Sequence, residues 1–477
     1  MATLPALEAD RGGIGGHPRG LTTLFFTELW ERFSYYGMRA LLLLFMVAPT
    51  EKGGLGMDAK RGAAIYGLYT FSVYFTSIPG GWIADRLLGQ RQAVLVGGIL
   101  IAIGHFSMAL NILPMFYAGL VIIVLGTGLL KPNISTIVGQ LYEKDDPRRD
   151  GGFSIFYMGI NLGALIAPLV CGYLGQKIGW HWGFGAAGVG MTLGVIQYSM
   201  GRHRLRGKGE LRQRPPNAGT LWAGVLASLV ATAVALYFLF DYKLALVIVS
   251  AAAFFVWLAS RADRGIERKR VIAIMVLFVF ATLFWAGFEQ AGSSLNLFAD
   301  RVTRTSIFGW NFPSSWFQSV QPLFIILLAP LFAALWVRMG PKEPSSPAKF
   351  AYGLLFVGLG FLILVPAAKM FESTGVRVSP MWLVTLYFLH TVGELVLSPV
   401  GLSTVTKLAP ERMVSSMMGV WFLSIALGNM IGGEVAGLFE TFPLPRLFAI
   451  VFATTAVSAV ILALLVKPIR RLMSGVH

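Results

Sequence analysis

Six polar side chains in the segment ELWERFSYYGMR, residues 28–39, are spaced for chemistry on one side of a helix. They are Glu28, Glu31, Arg32, Tyr35, Tyr36 and Arg39. Their offsets of 0, 3, 4, 7, 8 and 11 place all six on a single face of an α-helix. Glu28 and Arg32 are spaced as an i,i+4 ion pair, and we expect the Tyr35 ring to lie against Arg39 as a cation–π partner.

This charged face belongs to a helix that is apolar on its other sides and continues into the run Leu41–Val47. A charged side chain at membrane depth costs at least roughly 2.5–3.5 kcal/mol, so these groups must face protein or water. Two plainer interpretations stay open at this point. The helix could lie on a membrane surface, or the charges could form a purely structural salt-bridge cluster.

Composition sets the class of protein. The chain has 477 residues, of which 56% are hydrophobic, and a mean hydropathy of +0.69. Runs of roughly 20 apolar residues recur from end to end, which predicts a polytopic membrane protein. The formal charge of +16 does not indicate nucleic-acid binding, because the basic residues are spread over short loops. Cys171 is the only cysteine, so an intrachain disulfide and a cysteine-rich metal site are excluded.

The apolar runs predict an all-α protein with 14 membrane-spanning helices, arranged as six, two and six. Two of the predicted helices cover residues 61–88 and 271–299. Basic segments separate the groups, which gives an N-terminal six-helix bundle at 1–200, a linker with two extra helices at 201–270, and a C-terminal six-helix bundle at 271–477. We expect the two extra helices to lie at the periphery of the bundles. Most Lys and Arg fall in loops on one side if the N-terminus is cytoplasmic, so we expect both termini there and a cytoplasmic-membrane location.

Two six-helix halves favour a secondary transporter with its site near the midplane. The sequence has no Walker motif, GxSxG or HExxH, so an ATP-driven pump or a membrane hydrolase lacks its chemistry, and we expect no enzymatic activity. A membrane receptor or a channel-like protein is the alternative outside transport.

The segment GGWIADRLLGQR, residues 80–91, resembles the loop signature of the major facilitator superfamily. Its paired glycines allow close helix packing. Asp85 and Arg86 are expected to have a gating role at the cytoplasmic ends of the helices, with a simple structural turn as the alternative.

Further motifs are similar to those of the proton-dependent oligopeptide transporter family, prokaryotic type. Glu28-x-x-Glu31-Arg32-Phe33-x-Tyr35-Tyr36-Gly37 resembles its helix 1 motif, and FSIFYMGINLGALIAP, residues 153–168, its helix 5 signature. GLLKPNIS at 128–135, WAGFEQ at 285–290 and GELVLSP at 393–399 also resemble family segments. The resemblance covers both halves in order and implies a major facilitator fold and proton-coupled import of di- and tripeptides.

A peptide presents a carboxylate at one end and an ammonium group at the other. Arg39 and Lys131 are therefore candidates for the carboxylate and Glu394 for the amino terminus, since all three lie at predicted membrane depth. The predicted peptide site also needs aromatic side chains as walls and polar side chains as further contacts. By the resemblance, Tyr36, Trp285 and Trp421 belong to this group. The remaining candidates are Tyr74 and Asn161.

Proton coupling needs a titrating group whose charge alters a gate. By the resemblance Glu289 faces Arg39, and we hypothesise that protonation of Glu289 releases Arg39 to bind the substrate carboxylate. Glu28, Glu31 and Arg32 would form a second proton-linked cluster. Lys131 and Glu394 are expected to pair when the cytoplasmic side closes, and Pro399 gives its helix a bending point.

Several features depart from the family pattern or stay open. Gln321 stands where Asn is expected, Glu434 has no assigned role, and Asp300 and Arg301 are expected to pair with each other or simply to be solvated. A carrier of another small anion such as nitrate, or of a peptide-like compound, is the alternative within transport. No cofactor is expected beyond the proton. The expected partners are peptide, protons and the lipid bilayer, with the chain acting as a monomer and binding no nucleic acid.

Overall fold

The computed structural model describes residues 10–143, 146–211, 215–263, 265–410 and 414–474. Almost all of the named elements are helices. The exception is a short antiparallel hairpin of two strands with two residues each, β1 (Ser306–Ile307) and β2 (Trp310–Asn311). The helices are α1 Arg19–Val47, α2 Ala59–Phe75, α3 Ser77–Ile83, α4 Gln90–Ala109, α5 Leu113–Gln140, α6 Arg149–Tyr173, α7 Trp180–Gly201, α8 Ala218–Leu239, α9 Lys243–Arg261, α10 Ile266–Phe288, α11 Ser294–Arg301, α12 Val320–Met339, α13 Ser346–Thr374, α14 Met381–Leu408, α15 Val414–Ala436 and α16 Leu444–Met473.

Ten helical segments among the described residues are long and apolar enough to cross a membrane. The chain is therefore a polytopic, all-helical membrane protein, as its composition predicts. The number of 14 spans stays a prediction.

Two predicted helices are interrupted. The helix predicted over 61–88 is divided at Thr76 into α2 and α3 and ends in a wider turn at Ala84–Leu88. The helix predicted over 271–299 is divided by a 3-10 turn at Glu289–Gly292, followed by a non-helical Ser293 with φ −123° and ψ −101°. Gly287 precedes this turn and Gly292 ends it, and both lower the helix propensity here, which explains a break that the apolar pattern alone did not predict.

The contacts divide the chain into two compact units. The first comprises residues 1–39 and 76–216, and the second comprises residues 40–75 and 217–477. The boundaries fall inside α1 and at the break between α2 and α3. This division by contact assigns α2 to the second unit, because Gly67 of α2 packs against Gly433 of α15 so closely that a Cβ at Gly67 would lie 3.1 Å from the Gly433 Cα. The partition into six-helix bundles at 1–200 and 271–477 and a linker with two extra helices at 201–270 stays a prediction.

Glycines set the spacing of the helices in the first unit. A Cβ at Gly97 of α4 would lie 2.6 Å from the Gly126 oxygen of α5, and one at Gly104 would lie 2.8 Å from the Gly119 oxygen. These four glycines bring the backbones of α4 and α5 into contact along their length. Apolar side chains from α1, α4, α5 and α7 fill the core beside them.

Candidate functional site

The charged face of α1 is buried. Glu28, Glu31, Arg32 and Arg39 are each no more than 4% exposed. The Nε atom of Arg32 lies 3.2 Å from the Glu28 Oε1 atom, and it also bonds to the Glu31 carboxylate. The predicted i,i+4 pair is therefore confirmed, and a helix lying on the membrane surface with this face in water is excluded.

Two cation–π contacts join arginines and tyrosines within α1. The Arg32 guanidinium lies 5.1 Å from the centroid of the Tyr35 ring, and the Arg39 guanidinium lies 5.8 Å from that of Tyr36. The predicted Tyr35–Arg39 contact stays a prediction. Tyr35 is three residues from Arg32, and this i,i+3 spacing brings its ring over the nearer arginine.

The α1 cluster leaves buried polar atoms available. Glu28 Oε2, Glu31 Oε1 and Arg32 Nη2 have no hydrogen-bond partner among the described residues. A buried carboxylate oxygen without a donor is unfavourable unless it takes a proton, a water molecule or a ligand. The cluster therefore has acceptor and donor capacity beyond its internal ion pairs.

Helix α6 fixes α1 from one side through small residues. Gly163 packs against Arg32, where a Cβ would lie 3.0 Å from the Arg32 Cβ, and Gly37 of α1 packs against Cys171. Asn161, a predicted peptide contact, is 5% exposed and donates a hydrogen bond to the Tyr157 oxygen of its own helix at 3.0 Å.

Helix α5 carries Lys131 next to Pro132 inside the helix. Asn133 donates to the Leu129 oxygen at 2.6 Å and to the Gly80 oxygen of α3 at 3.4 Å. Lys131 is half-buried and interacts electrostatically with Glu28. The structure therefore brings Lys131 to the charged face of α1 within the first unit.

Asp85 and Arg86 lie in the turn after α3, and both side chains are exposed. Gln90, the first residue of α4, donates to Asp85 Oδ1 at 2.9 Å, and Gln140 of α5 donates to Gln90 Oε1 at 2.8 Å. The predicted close approach at the paired glycines is also present, because Gly80 is in direct contact with Gly128 of α5.

The second unit contains the other predicted carboxylates. Glu289 is 7% exposed and begins the 3-10 turn that interrupts the span. Glu394 of α14 accepts a hydrogen bond from Gln321 Nε2 at 3.2 Å and interacts electrostatically with Glu289. Gln321, which stands where the family pattern has Asn, therefore contacts a candidate site carboxylate directly.

An aromatic cluster stands in the same unit. The rings of Trp285 and Trp421 are 6.4 Å apart at 80°, and Phe350 packs on Trp421 with centroids 6.2 Å apart. The Trp285 Nε1 atom is buried and has no hydrogen-bond partner among the described residues. Tyr74 is 7% exposed on α2.

Pro399 lies within α14, and its side chain is outside the part of the chain that the structure describes.

The pairing at the end of α11 differs from the one expected. Arg301 bonds to Glu440 at 2.6 Å, and Asp300 instead accepts from the Ser314 hydroxyl at 2.8 Å, so the Asp300–Arg301 pairing is wrong. Adjacent residues at a helix end point in different directions, which separates their side chains. Burial alone would raise the pKa of Glu440, but hydrogen bonds from Arg301 and from the Ala59 N–H outweigh it, so this pKa lies below its ordinary value.

Sequence reasoning missed two of these features. Glu434, without a role in the sequence, forms an ion pair with Lys243 of α9 at 2.8 Å. The break at Glu289 was missed too, although Gly287 and Gly292 stand on either side of it in the sequence. Glycine pairs of this kind within an apolar run are a signal for a discontinuous helix.

Known proteins resemble this chain over its whole length. A sequence profile of the POT family matches residues 91–450. A peptide transporter of Yersinia enterocolitica is 42% identical over 96% of this chain and 96% of that protein, and a di-/tripeptide transporter of Lactococcus lactis subsp. cremoris is 38% identical over 97% and 98%. The crystal structure of a variant of a POT peptide transporter in complex with alafosfalin has a TM-score of 0.90 at 44% identity, covering 98% of each chain.

Proposed function

Because this chain belongs to the POT family, we propose that it is a symporter that imports di- and tripeptides together with protons across the cytoplasmic membrane. Both termini would lie in the cytoplasm, and the chain would act as a monomer without an organic cofactor. The related transporters named for di- and tripeptides and for peptides support the choice of substrate.

The observation that carries this proposal is the difference in charge between the candidate site residues of the first unit and those of the second. In the first unit, two acids and three bases gather around α1 and α5: Glu28, Glu31, Arg32, Arg39 and Lys131. In the second unit, Glu289 and Glu394 interact with each other beside a neutral glutamine. A zwitterion needs both a cationic and an anionic partner, so Arg39 and Lys131 would hold the carboxylate of the peptide and Glu394 its amino group.

The side-chain specificity would be broad. Aromatic walls accept many side chains because they offer apolar area without a fixed hydrogen-bond pattern. Trp285 and Trp421 would supply such walls, with Tyr36, Tyr74 and Asn161 as further contacts. The buried Trp285 N–H would offer one donor to the peptide.

Protons would act at two places. Glu289 lies on the interrupted part of its span, where a change in charge can alter the local backbone more readily than inside a continuous helix. Our hypothesis is that its protonation releases Arg39 for the substrate carboxylate. Glu28, Glu31 and Arg32 would form the second proton-linked group, which the unpartnered carboxylate oxygens of Glu28 and Glu31 support.

Gating would involve the turn with Asp85 and Arg86, pairing of Lys131 with Glu394, and bending at Pro399. A proton moving down about 100 mV supplies roughly 2.3 kcal/mol, which is near fifty-fold accumulation per proton. That driving force suffices for uptake without ATP.

The test is uptake of labelled dialanine by the purified protein in liposomes, with and without an inward proton gradient. The proposal expects counterflow in the absence of a gradient and accumulation when the gradient is imposed. Excess nitrate should leave the rate unchanged. Saturable counterflow without any response to the gradient would overturn proton coupling, and competition by nitrate would favour the anion carrier instead.

A further inference from the structure

A cavity of about 400 Å³ lies at one end of the first unit, outside the residues assigned to transport. It forms because the segment after α7 folds back over the turn between α3 and α4. The Arg91 N–H donates to the Gly209 oxygen at 2.8 Å, and the Gly209 N–H donates to Gln140 Oε1 at 2.9 Å. Its walls are Leu87, Leu88, Arg91, Gln92, Arg202, Gly209, Glu210 and Leu211.

The backbone of this turn is shaped for the contact. Gly89 has φ +77°, in the left-handed region, and a Cβ at this position would lie 2.6 Å from the Leu211 nitrogen. Only glycine fits such a position without strain. The folded-back segment and the turn therefore form one built structure rather than two loops in chance contact.

The cavity has an unbalanced positive charge. Arg91 and Arg202 both line it, and both interact electrostatically with the Tyr198 hydroxyl. Glu210 bonds to Arg91. No acidic side chain of the described residues forms an ion pair with Arg202, whose side chain is exposed. One positive charge is left to attract an anion, and the planar fork of arginine suits a phosphate group.

The position and the other walls indicate what carries this anion. Gln90 begins α4 and Gln140 ends α5, and both helices are long and apolar enough to cross a membrane. Their shared end, where the cavity lies, therefore stands at a membrane boundary. Leu87, Leu88 and Leu211 add an apolar wall, which a free inorganic anion does not need.

We propose that this cavity binds an anionic phospholipid, with its phosphate against Arg202 and Arg91 and its glycerol and acyl region against the leucines. Occupancy would also stabilise the turn that carries Asp85. That turn is tied to the cavity through Gln90, which contacts Asp85 on one side and Gln140 on the other.

The test uses the detergent-solubilised full chain and follows its thermal unfolding during titration with dioleoylphosphatidylglycerol. Dioleoylphosphatidylcholine, inorganic phosphate and glycerol phosphate are titrated in parallel. Phosphatidylglycerol should raise the melting temperature saturably, and Arg202→Ala should increase the half-saturating concentration at least about tenfold. Arg204→Ala is the matched control, because it removes another exposed arginine of the same turn that does not line the cavity.

Gln92→Trp is the second variant, since this exposed position allows a large side chain to occupy the cavity if Arg202→Ala does not fold. It should weaken phosphatidylglycerol binding as Arg202→Ala does. Equal weakening by Arg202→Ala and Arg204→Ala would overturn the site in favour of general surface charge. An equal response to phosphatidylcholine would overturn the anion requirement, and an equal response to inorganic phosphate or glycerol phosphate would overturn the lipid.

Discussion

The two units of the molecule treat buried charge in different ways. Around α1 the acids and bases pair within one helix, and Arg32 bonds to both Glu28 and Glu31. In the second unit Glu289 and Glu394 come from two different spans and interact with each other. Two carboxylates that are close together repel when both are ionised, so proton uptake by one relieves the repulsion. We therefore expect the bases of the first region to hold an anion and the carboxylates of both regions to respond to protons.

Cations elsewhere in the second unit do not alter this comparison. Lys349 is bonded to Glu343 and Lys243 to Glu434. Each of these lysines has its own acidic partner. The excess of base in one region and of acid in the other is thus a property of the candidate site residues.

The largest expected effect comes from removing a base of the first region. Lys131→Ala should reduce gradient-driven peptide uptake at least about a hundredfold, because its two proposed roles, the charge-assisted contact to the peptide carboxylate and the gating pair with Glu394, would be lost together. Lys177→Ala removes an exposed lysine of the same unit and is the control. Equal uptake by both variants would remove Lys131 from the site.

Removing the carboxylate of Glu394 in the second region should change how the protein recognises the amino terminus of the peptide. Wild-type protein should prefer dialanine over N-acetyl-dialanine, and Glu394→Gln should reduce that preference by about tenfold, because the ammonium group loses its charged partner. Competition assays with both compounds measure the ratio. Glu51→Gln, at an exposed position of the same unit, should keep the preference. An unchanged preference in Glu394→Gln would assign the amino group to another residue.

An ion pair outside the two site regions should affect stability rather than transport. Lys243→Met leaves Glu434 unpaired and should lower the melting temperature by a few degrees, in line with roughly 1 kcal/mol for an ion pair whose glutamate is 38% exposed. Peptide uptake per folded molecule should be unchanged. In the double variant with Glu434→Leu, part of the loss should be recovered, as a double-mutant cycle on the melting temperature will show. A large fall in uptake would link α9 to the transport cycle.

The smallest effect is expected from the Arg301–Glu440 pair. Because the pKa of Glu440 is lowered in the folded protein, its contribution to stability is present above the ordinary Glu pKa of about 4.3 and is lost as the pH falls through the lowered value. The wild type should therefore lose more stability than Glu440→Gln between pH 5 and pH 3. Parallel pH profiles of the two proteins would contradict this.

How far the sequence predicts these regions depends on the kind of interaction. The face of α1 could be predicted residue by residue, because helical periodicity fixes which side chains share a face. The partners of Glu434 and Arg301 could not, because Lys243 and Glu440 lie far away in the sequence and their approach depends on tertiary packing. The break at Glu289 was hidden by the apolar residues on both sides of it. Gln321 was recognised as a departure, but its contact with Glu394 required the structure.

The most direct test of the charge difference between the regions uses Glu289→Gln, in which glutamine imitates the protonated acid. Gradient-driven accumulation and counterflow of labelled dialanine are measured on the same liposome preparation. If Glu289 couples protons to transport, the variant will exchange peptide by counterflow and will not accumulate it when the gradient is applied. Accumulation at the wild-type level would contradict the assignment.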